Sequence, residues 1–235
     1  TKNKKKRTMF IFTLFFAVAA AMVNNNQMFD LNQKALNDDH IAQINREAKT
    51  WSAGRNDWLD GKTYADVQKY LGWKGKEFEP ELSSQPPMDS YPEAPSSFDS
   101  RKKWPGLIGP ILNQADCGSC WAFGGVEAIS DRHAIANGTT FTQFSPLQVV
   151  TCDNECDGCD GGMAGSTWEF VQENGLVTSE CLPYNEAAGG PIPTCPPQKQ
   201  PCLTFVNTPP CKQTCNGNHA AWNPTQLVKS VYSVG

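Results

Sequence analysis

Residues 113–132 of this 235-residue chain read NQADCGSCWAFGGVEAISDR, and the fold is best approached from this stretch. Cys117 and Cys120 stand three positions apart, and Trp121 follows the second directly. Such a pair fits a redox-active dithiol, half of a zinc site, or a disulfide anchor beside a nucleophilic thiol. The surrounding sequence bears on all three interpretations.

The residues after Ser119 have the period of a helix, with apolar positions at spacings of four and three: Ala122, Val126 and Ile129. A stop signal follows at Asn137-Gly138, which predicts a helix of about seventeen residues. Cys120 then lies in the first turn. Unpaired N–H groups and the helix dipole at that end favour the negative charge of a thiolate.

The redox and zinc interpretations fit the rest of the chain less well. A thioredoxin-type pair belongs to a βαβ pattern, and nothing before Cys117 reads as such a strand. Zinc would use four cysteines: Cys117, Cys120, Cys156 and Cys159. However, ten cysteines in one chain favour disulfides and an oxidising compartment. The spacing alone leaves both alternatives open.

The N-terminus predicts export. Lys4–Arg7 is basic and precedes the apolar run MFIFTLFFAVAAAMV at 9–23, which is the pattern of a signal peptide. Cleavage is expected near Ala19 or Ala21, so we assign residues 1–21 to the signal. Residues 1–8 precede Met9 and would lie upstream of a translation start there. A membrane anchor is the weaker interpretation, because a spanning helix needs about 20 apolar residues.

The composition predicts a folded, acidic, exported protein. Apolar residues make up 39% of the chain and charged residues 19%, as in globular domains. Removing residues 1–21 takes away five basic side chains and moves the formal net charge from −4 to −9. No basic patch then remains to suggest nucleic-acid binding, and no further apolar run suggests a membrane segment.

Residues 22–93 contain no cysteine and predict a separate pro-segment before a second domain at 94–235. One helix is expected between Leu31 and Trp58, on the apolar stripe Ile41, Ile44 and Ala48. A second, weaker helical pattern stops at Gly72. The stretch FEPELSSQPPMDSYPEAPSSF at 78–98 is then a proline-rich linker that is easy to cleave.

Taken together, these motifs resemble the papain family of cysteine proteases. The segment 113–132 is similar to that family's active-site segment, and SPLQVVTC, CDGCDGGMAGSTWEFV and GLVTSECLPY follow in the family's order. INREAKTWSAGRN at 44–56 and the closely spaced late cysteines resemble the cathepsin B branch. The resemblance implies an α+β papain-like fold. We expect mostly its helical left domain, with the β-rich right domain missing, behind a small helical pro-segment.

The resemblance also implies the site. Cys120 would attack a peptide carbonyl to form a thioester, and Gln114 would donate its side-chain amide to the oxyanion together with the Cys120 N–H. Trp121 would shield the site, with a core aromatic as the alternative. Gly161 and Gly162 would hold an extended substrate, because absent side chains let another backbone approach. A simple glycine turn is the alternative there.

By the same resemblance, four disulfides are expected: Cys117–Cys159, Cys152–Cys211, Cys181–Cys215 and Cys195–Cys202. With Cys120 set aside, one cysteine is left over. Cys156 is our choice, because Asp153 stands where the relatives have its partner. Alternatively, Cys156 pairs with Cys152 and leaves Cys211 free.

The short loop PPQKQP between Cys195 and Cys202 has no histidine, unlike the cathepsin B occluding loop, so we expect endopeptidase activity.

The catalytic histidine is harder to place. His40 lies in the pro-segment, His133 lies in the Cys120 helix about 20 Å away, and His219 lies in a segment without a strand pattern.

We therefore expect a cathepsin B-like precursor that stops before the catalytic histidine and asparagine and has little activity alone. The alternative is a short secreted product that acts as a binding or inhibitory protein. NGT at Asn137 predicts glycosylation. The family implies lysosomal or extracellular localisation, peptide or protein substrates, cystatin-type inhibitors and a monomer. No cofactor or metal is expected.

Overall fold

The structure is a computed structural model, and it describes residues 30–75, 83–84, 93, 95–185, 189–193, 206–216, 221–229 and 232–233. The predicted signal, His219 and the predicted Cys195–Cys202 disulfide lie outside these residues. The chain divides into two compact units, Thr1–Tyr64 and Ala65–Gly235. Residues 65–75, which the sequence assigned to the pro-segment, therefore cluster with the second unit.

The first unit contains helix α1, Asp38–Glu47, and a 3₁₀ turn, Asp57–Leu59. Helix α1 begins where Asn37 caps it, because the Asn37 side chain accepts a hydrogen bond from the His40 N–H. Near the end of the helix, the Asn45 side chain forms two hydrogen bonds with the Ala53 backbone. These bonds hold the chain that follows α1 against the helix. The helix expected between Leu31 and Trp58 is thus confined to its middle third, and none of its residues is buried.

The second unit is built mainly from helices: α2 Tyr64–Gln68, which begins at the last residue of the first unit, α3 Ser100–Lys103, α4 Cys120–Asn137, α5 Pro146–Cys152 and α6 Ala164–Asn174. A 3₁₀ turn at Gly158–Asp160 lies between α5 and α6. Helix α4 ends as the sequence predicts, since Gly138 adopts the left-handed conformation with φ 59°.

The core of the second unit lies where α4 packs against α5 and α6. The predicted apolar face of α4 is confirmed, because its three residues are buried: Ala122, Val126 and Ile129. Leu147 of α5 and Val171 of α6 close the same cluster. At Gly125 an added Cβ would come within 2.4 Å of a Thr167 methyl group, so this crossing requires a glycine.

Strand structure is sparse in the part of the chain that the structure describes. It consists of β1, Ser83–Ser84, which pairs in parallel with β2, Tyr232–Ser233, and of isolated bridges. The helical half of the expected α+β class is therefore present, whereas a β-rich half is not seen among these residues. In the same residues, no helix has the length and apolar character needed to cross a bilayer.

Among its described residues, the second unit contains three disulfides. Cys117 is bonded to Cys159, Cys152 to Cys211 and Cys181 to Cys215. These pairs agree with the expected ones, and the alternative pairing of Cys152 with Cys156 is wrong. Among the described cysteines, Cys120 and Cys156 are free.

Candidate active site

Cys120 is a partly exposed free thiol at the first residue of α4. The Cys117–Cys159 disulfide joins the turn before α4 to the 3₁₀ turn at Gly158–Asp160. This bond occupies Cys117, so the redox pairing of Cys117 with Cys120 and the four-cysteine zinc site are both excluded. The described part of the chain also holds no cluster of three His, Cys, Asp or Glu side chains that suits a metal ion.

Gln114 lies three residues before Cys117, and its side-chain amide forms two hydrogen bonds. Its Nε2 donates to the Cys117 carbonyl at 2.8 Å and to the Tyr70 carbonyl at 3.1 Å. The next residue, Ala115, has a φ of 51°, and its N–H is held by the Asn113 side chain at 2.8 Å. Such a backbone is uncommon for alanine and stores strain beside the site.

Gly161 and Gly162 present their backbone to another extended segment. The Gly162 N–H donates to the Gly72 carbonyl at 2.7 Å, and the Lys74 N–H donates to the Gly162 carbonyl at 3.0 Å. Gly161 has a φ of 113°, which favours glycine, and an added Cβ would meet the Gly72 oxygen at 2.6 Å. The backbone of Gly72 thus approaches these two glycines closely, and the predicted binding of a substrate there stays a prediction.

We call residues 69–74 the covering segment, because they lie along Gly118 and Gly162. The Tyr70 hydroxyl donates to the buried Asp116 carboxylate at 2.7 Å. Burial, followed by this hydrogen bond, raises the pKa of Tyr70. At the other end, Lys74 forms a 3.2 Å ion pair with Asp157. The sequence analysis missed this segment; the glycine at position 72, after a helical pattern, was its one visible signal.

Trp121 is 2% exposed, and its Nε1 donates to the Gly158 carbonyl at 3.1 Å. Its ring lies against Gly162, where an added Cβ would come within 2.6 Å. The buried indole therefore connects the start of α4 to the segment at Gly158 and Gly162, which fits the shielding expected of it. That role stays a prediction.

The second free thiol, Cys156, also lies against Gly162, where an added Cβ would come within 2.7 Å of its Sγ. Its Sγ accepts the Met163 N–H at 3.4 Å. Burial raises the pKa of the Cys156 thiol to about 11, and the Asp153 carboxylate acts in the same direction. Asp153 is itself buried, which raises its own pKa, and its Oδ2 finds no hydrogen-bond donor within the described residues. Cys156 is therefore held as a neutral thiol.

Among the described residues of the second unit, His133 does not supply a base for Cys120. His133 lies thirteen residues further along α4, hence about 20 Å away, and its ring packs against Phe144 with centroids 5.2 Å apart. His40 belongs to α1 of the first unit. Asn137 is exposed at the end of α4, where its Nδ2 donates to the His133 carbonyl at 2.9 Å.

Comparison with known proteins agrees with this geometry. The model of the papain family cysteine protease matches residues 94–234. Cathepsin B of Dictyostelium discoideum is 41% identical over 172 residues, which are 72% of this chain and 52% of that protein. A cathepsin B-like cysteine proteinase of Schistosoma japonicum is 36% identical over 231 residues, which are 89% of this chain and 64% of that protein.

The solved structure of proCathepsin B S9 from Trypanosoma congolense superposes with a TM-score of 0.65 at 27% identity. The match covers 81% of this chain and 62% of that one, and it shows a papain-like fold. The chain thus spans about half to two thirds of the length of these relatives. It belongs to the papain family of cysteine proteases, in the cathepsin B-like branch.

Proposed function

We propose that this chain carries the nucleophilic half of a cathepsin B-like cysteine peptidase precursor, with Cys120 as the nucleophile. One observation carries the proposal. The Gln114 amide is joined to the turn just before the free thiol by its bond to the Cys117 carbonyl, and it already donates to a second backbone carbonyl, that of Tyr70. A peptide carbonyl in that place would meet both the thiol and the donor that its reaction requires.

The proposed reaction is acyl transfer through a thioester. The Cys120 sulfur bonds to the carbonyl carbon while the π electrons move to the oxygen, where Gln114 stabilises the charge. When the carbonyl re-forms, the C–N bond breaks and the amine leaves with the proton that the thiol gave up. Water then cleaves the thioester: its hydroxyl stays on the carboxylic acid product, and its other proton restores the thiol. Each oxyanion donor of this kind typically contributes about 3–4 kcal/mol to the transition state.

Gly161 and Gly162 are proposed to hold the substrate. The Gly162 N–H and carbonyl form a two-bond ladder with Gly72 and Lys74, which is how an extended peptide is bound by strand addition. The covering segment and a substrate would use the same groups. Residues 22–93 are therefore proposed to act as a pro-segment that blocks the site in the precursor, ahead of a protease domain at 94–235.

Hydrolysis by this polypeptide alone is proposed to be slow. His133 lies about a helix length from Cys120, and no other histidine of the second unit falls among the described residues. Three disulfides and the cathepsin B relatives support passage through the secretory pathway to the lysosome or the outside of the cell. Peptides or proteins are the proposed substrates, and cystatin-type inhibitors the proposed regulators.

Selective alkylation of the full chain tests the nucleophile. A fluorescent iodoacetamide at neutral pH should label Cys120 first, because both thiols are partly exposed but the pKa of Cys156 is raised to about 11. Cys120→Ser should abolish the fast labelling phase, whereas the matched Cys156→Ser variant should keep it. Peptide mapping without reduction identifies the modified residue. Labelling of Cys156 ahead of Cys120 would refute the assignment, as would a Cys117–Cys120 disulfide.

A fluorogenic peptide tests the proposed rate. The purified chain should turn it over slowly, even after mild acidification to loosen the covering segment. Rapid turnover that Cys120→Ser abolishes would keep the nucleophile and overturn the proposal that this chain lacks an effective base.

A further inference from the structure

Ser119 stands at the N-cap position of α4 but does not cap the helix. Serine at this position normally accepts a hydrogen bond from an N–H of the first turn, and here no such bond is made. The fully buried Ser119 hydroxyl instead lies 2.7 Å from the Tyr184 hydroxyl. The cap residue of the nucleophile helix is therefore tied to a residue 65 positions away.

The Tyr184 hydroxyl continues the connection to Gln114. It donates to the Gln114 backbone carbonyl at 2.9 Å. A carbonyl oxygen only accepts, so the single tyrosine proton is used there, and the Ser119 hydroxyl donates to the tyrosine oxygen. Burial raises the pKa of Tyr184, which keeps this hydroxyl a donor throughout the ordinary pH range.

The Tyr184 ring is fixed by packing. It meets Phe123 of α4 edge to face, with centroids 4.7 Å apart, and it is 7% exposed. The Cys181–Cys215 disulfide lies three residues before it. Since both the ring and the neighbouring chain are held, the hydroxyl is a rigid point between the start of α4 and the Gln114 loop.

We propose that Tyr184 and Ser119 are positioning residues that fix the Gln114 backbone relative to the first turn of α4, so that the Gln114 amide and Cys120 face one carbonyl. This inference rests on the proposed function, because it assigns Gln114 as an oxyanion donor. With the Ser119 hydroxyl turned to Tyr184, the Ala122 N–H of the first turn is bonded to the Ser119 carbonyl instead of to a capping side chain.

Two electrophiles that react with Cys120 distinguish a positioning role of Tyr184 and Ser119 from a general effect on stability. A peptide aldehyde adds to Cys120: the S–C bond forms, the C=O π bond breaks, and the thiol proton ends on the oxygen, which lies at Gln114. Iodoacetamide forms an S–C bond, expels iodide and loses the thiol proton to solvent, with no oxygen to stabilise. Both the aldehyde affinity and the iodoacetamide rate are proportional to the open fraction of the covering segment. The ratio of aldehyde affinity to iodoacetamide rate is therefore independent of that fraction.

In the full chain, Tyr184→Phe should lower this ratio roughly threefold to tenfold, the value of one hydrogen bond. Ser119→Ala should lower it in the same direction and serves as the second variant should Tyr184→Phe fold poorly. The matched control is Ser145→Ala, which removes a buried N-cap hydroxyl that donates to the Leu182 carbonyl at 2.6 Å, two residues before Tyr184, and that forms no hydrogen bond with Tyr184 or Gln114. Its ratio should equal that of the parent.

Gln114→Ala distinguishes the two levels of the proposal. When Gln114→Ala lowers the ratio and neither Tyr184→Phe nor Ser119→Ala does, the positioning inference is overturned and the proposed function stands. When Gln114→Ala leaves the ratio unchanged, the oxyanion assignment fails and the inference fails with it. A Ser145→Ala ratio as low as that of Tyr184→Phe also overturns the inference, because it would show a general loss of packing.

Discussion

Gly72→Ala is expected to open the candidate active site. An added Cβ at Gly72 would lie 1.7 Å from the Gly118 oxygen and 2.4 Å from its carbonyl carbon. Both are backbone atoms, which cannot rotate away. Because ordinary contact begins near 3.4 Å, the covering segment must withdraw by roughly 1.5 Å. The effect is purely steric, since Gly72 is not among the glycines with positive φ.

The expected increase in the open fraction of the covering segment follows from the hydrogen bonds that such a shift breaks. Besides the Tyr70–Asp116 hydrogen bond and the Lys74–Asp157 ion pair, three hydrogen bonds involve main-chain groups of the covering segment: Gly162 N–H to the Gly72 carbonyl, Lys74 N–H to the Gly162 carbonyl, and Gln114 Nε2 to the Tyr70 carbonyl. Each contributes about 0.5–1.5 kcal/mol net, so their loss raises the open fraction roughly tenfold to a thousandfold. The helical core, which shares none of these bonds, should keep its stability.

The initial rate of Cys120 alkylation measures the open fraction, with the modified peptide quantified by mass spectrometry and Cys156 as the internal reference. Gly54→Ala is the matched control, because an added Cβ there meets no atom within 4 Å. We expect a faster rate for Gly72→Ala and the parent rate for Gly54→Ala. Equal rates in the two variants would refute the reasoning that the covering segment limits access to Cys120.

Three further predictions concern single residues. Ala115→Gly should stabilise the chain by up to about 1 kcal/mol in urea unfolding, because alanine at φ 51° is strained. Asp153→Asn should stabilise the chain at about pH 7 more than at about pH 4. Burial raises the folded-state pKa of Asp153, so its contribution is full below the unfolded pKa and is lost as pH rises through the folded value. Asn137→Gln should remove one glycan, seen as faster gel migration, after expression through a secretory pathway.

Each of these three predictions would be contradicted by a specific result. Destabilisation by Ala115→Gly would show that the left-handed backbone carries no strain. An Asp153→Asn effect that is larger in acid would reverse the sign of the linkage. Unchanged migration of the Asn137→Gln variant would mean that the exposed NGT site is not modified.

Local features of the second unit were predictable from the sequence. The spacing of Ala122, Val126 and Ile129 encodes one buried face, and Gly138 ends the helix by its own conformation, so α4 follows from nearby residues alone. The helix in the first unit was overextended, because the sequence pattern does not reveal that Asn45 turns the chain back to Ala53. That stop depends on a contact formed only after folding.

The missed parts of the site share a physical cause. Gly72 meets Gly162 through backbone groups, which every residue carries, so no side-chain pattern marks the pair. Tyr184 meets Gln114 across 70 positions through one hydroxyl and one carbonyl. Tyr184 ends the GLVTSECLPY segment, but a tyrosine in a sequence motif does not disclose which carbonyl it will face.

A bound peptide and the covering segment compete for the same main-chain and side-chain donors at this site. A peptide that pairs with Gly162 and places a carbonyl at Gln114 must take the same donors that Gly72 and Tyr70 now occupy. The two cannot bind together, so the apparent affinity for any peptide is its intrinsic affinity reduced by the open fraction. A change that only opens the segment raises the affinity for all peptides by one factor, whereas a change in Gln114 alters the adduct itself. The covering segment and the oxyanion donor are thus separable by experiment, although they share a hydrogen bond.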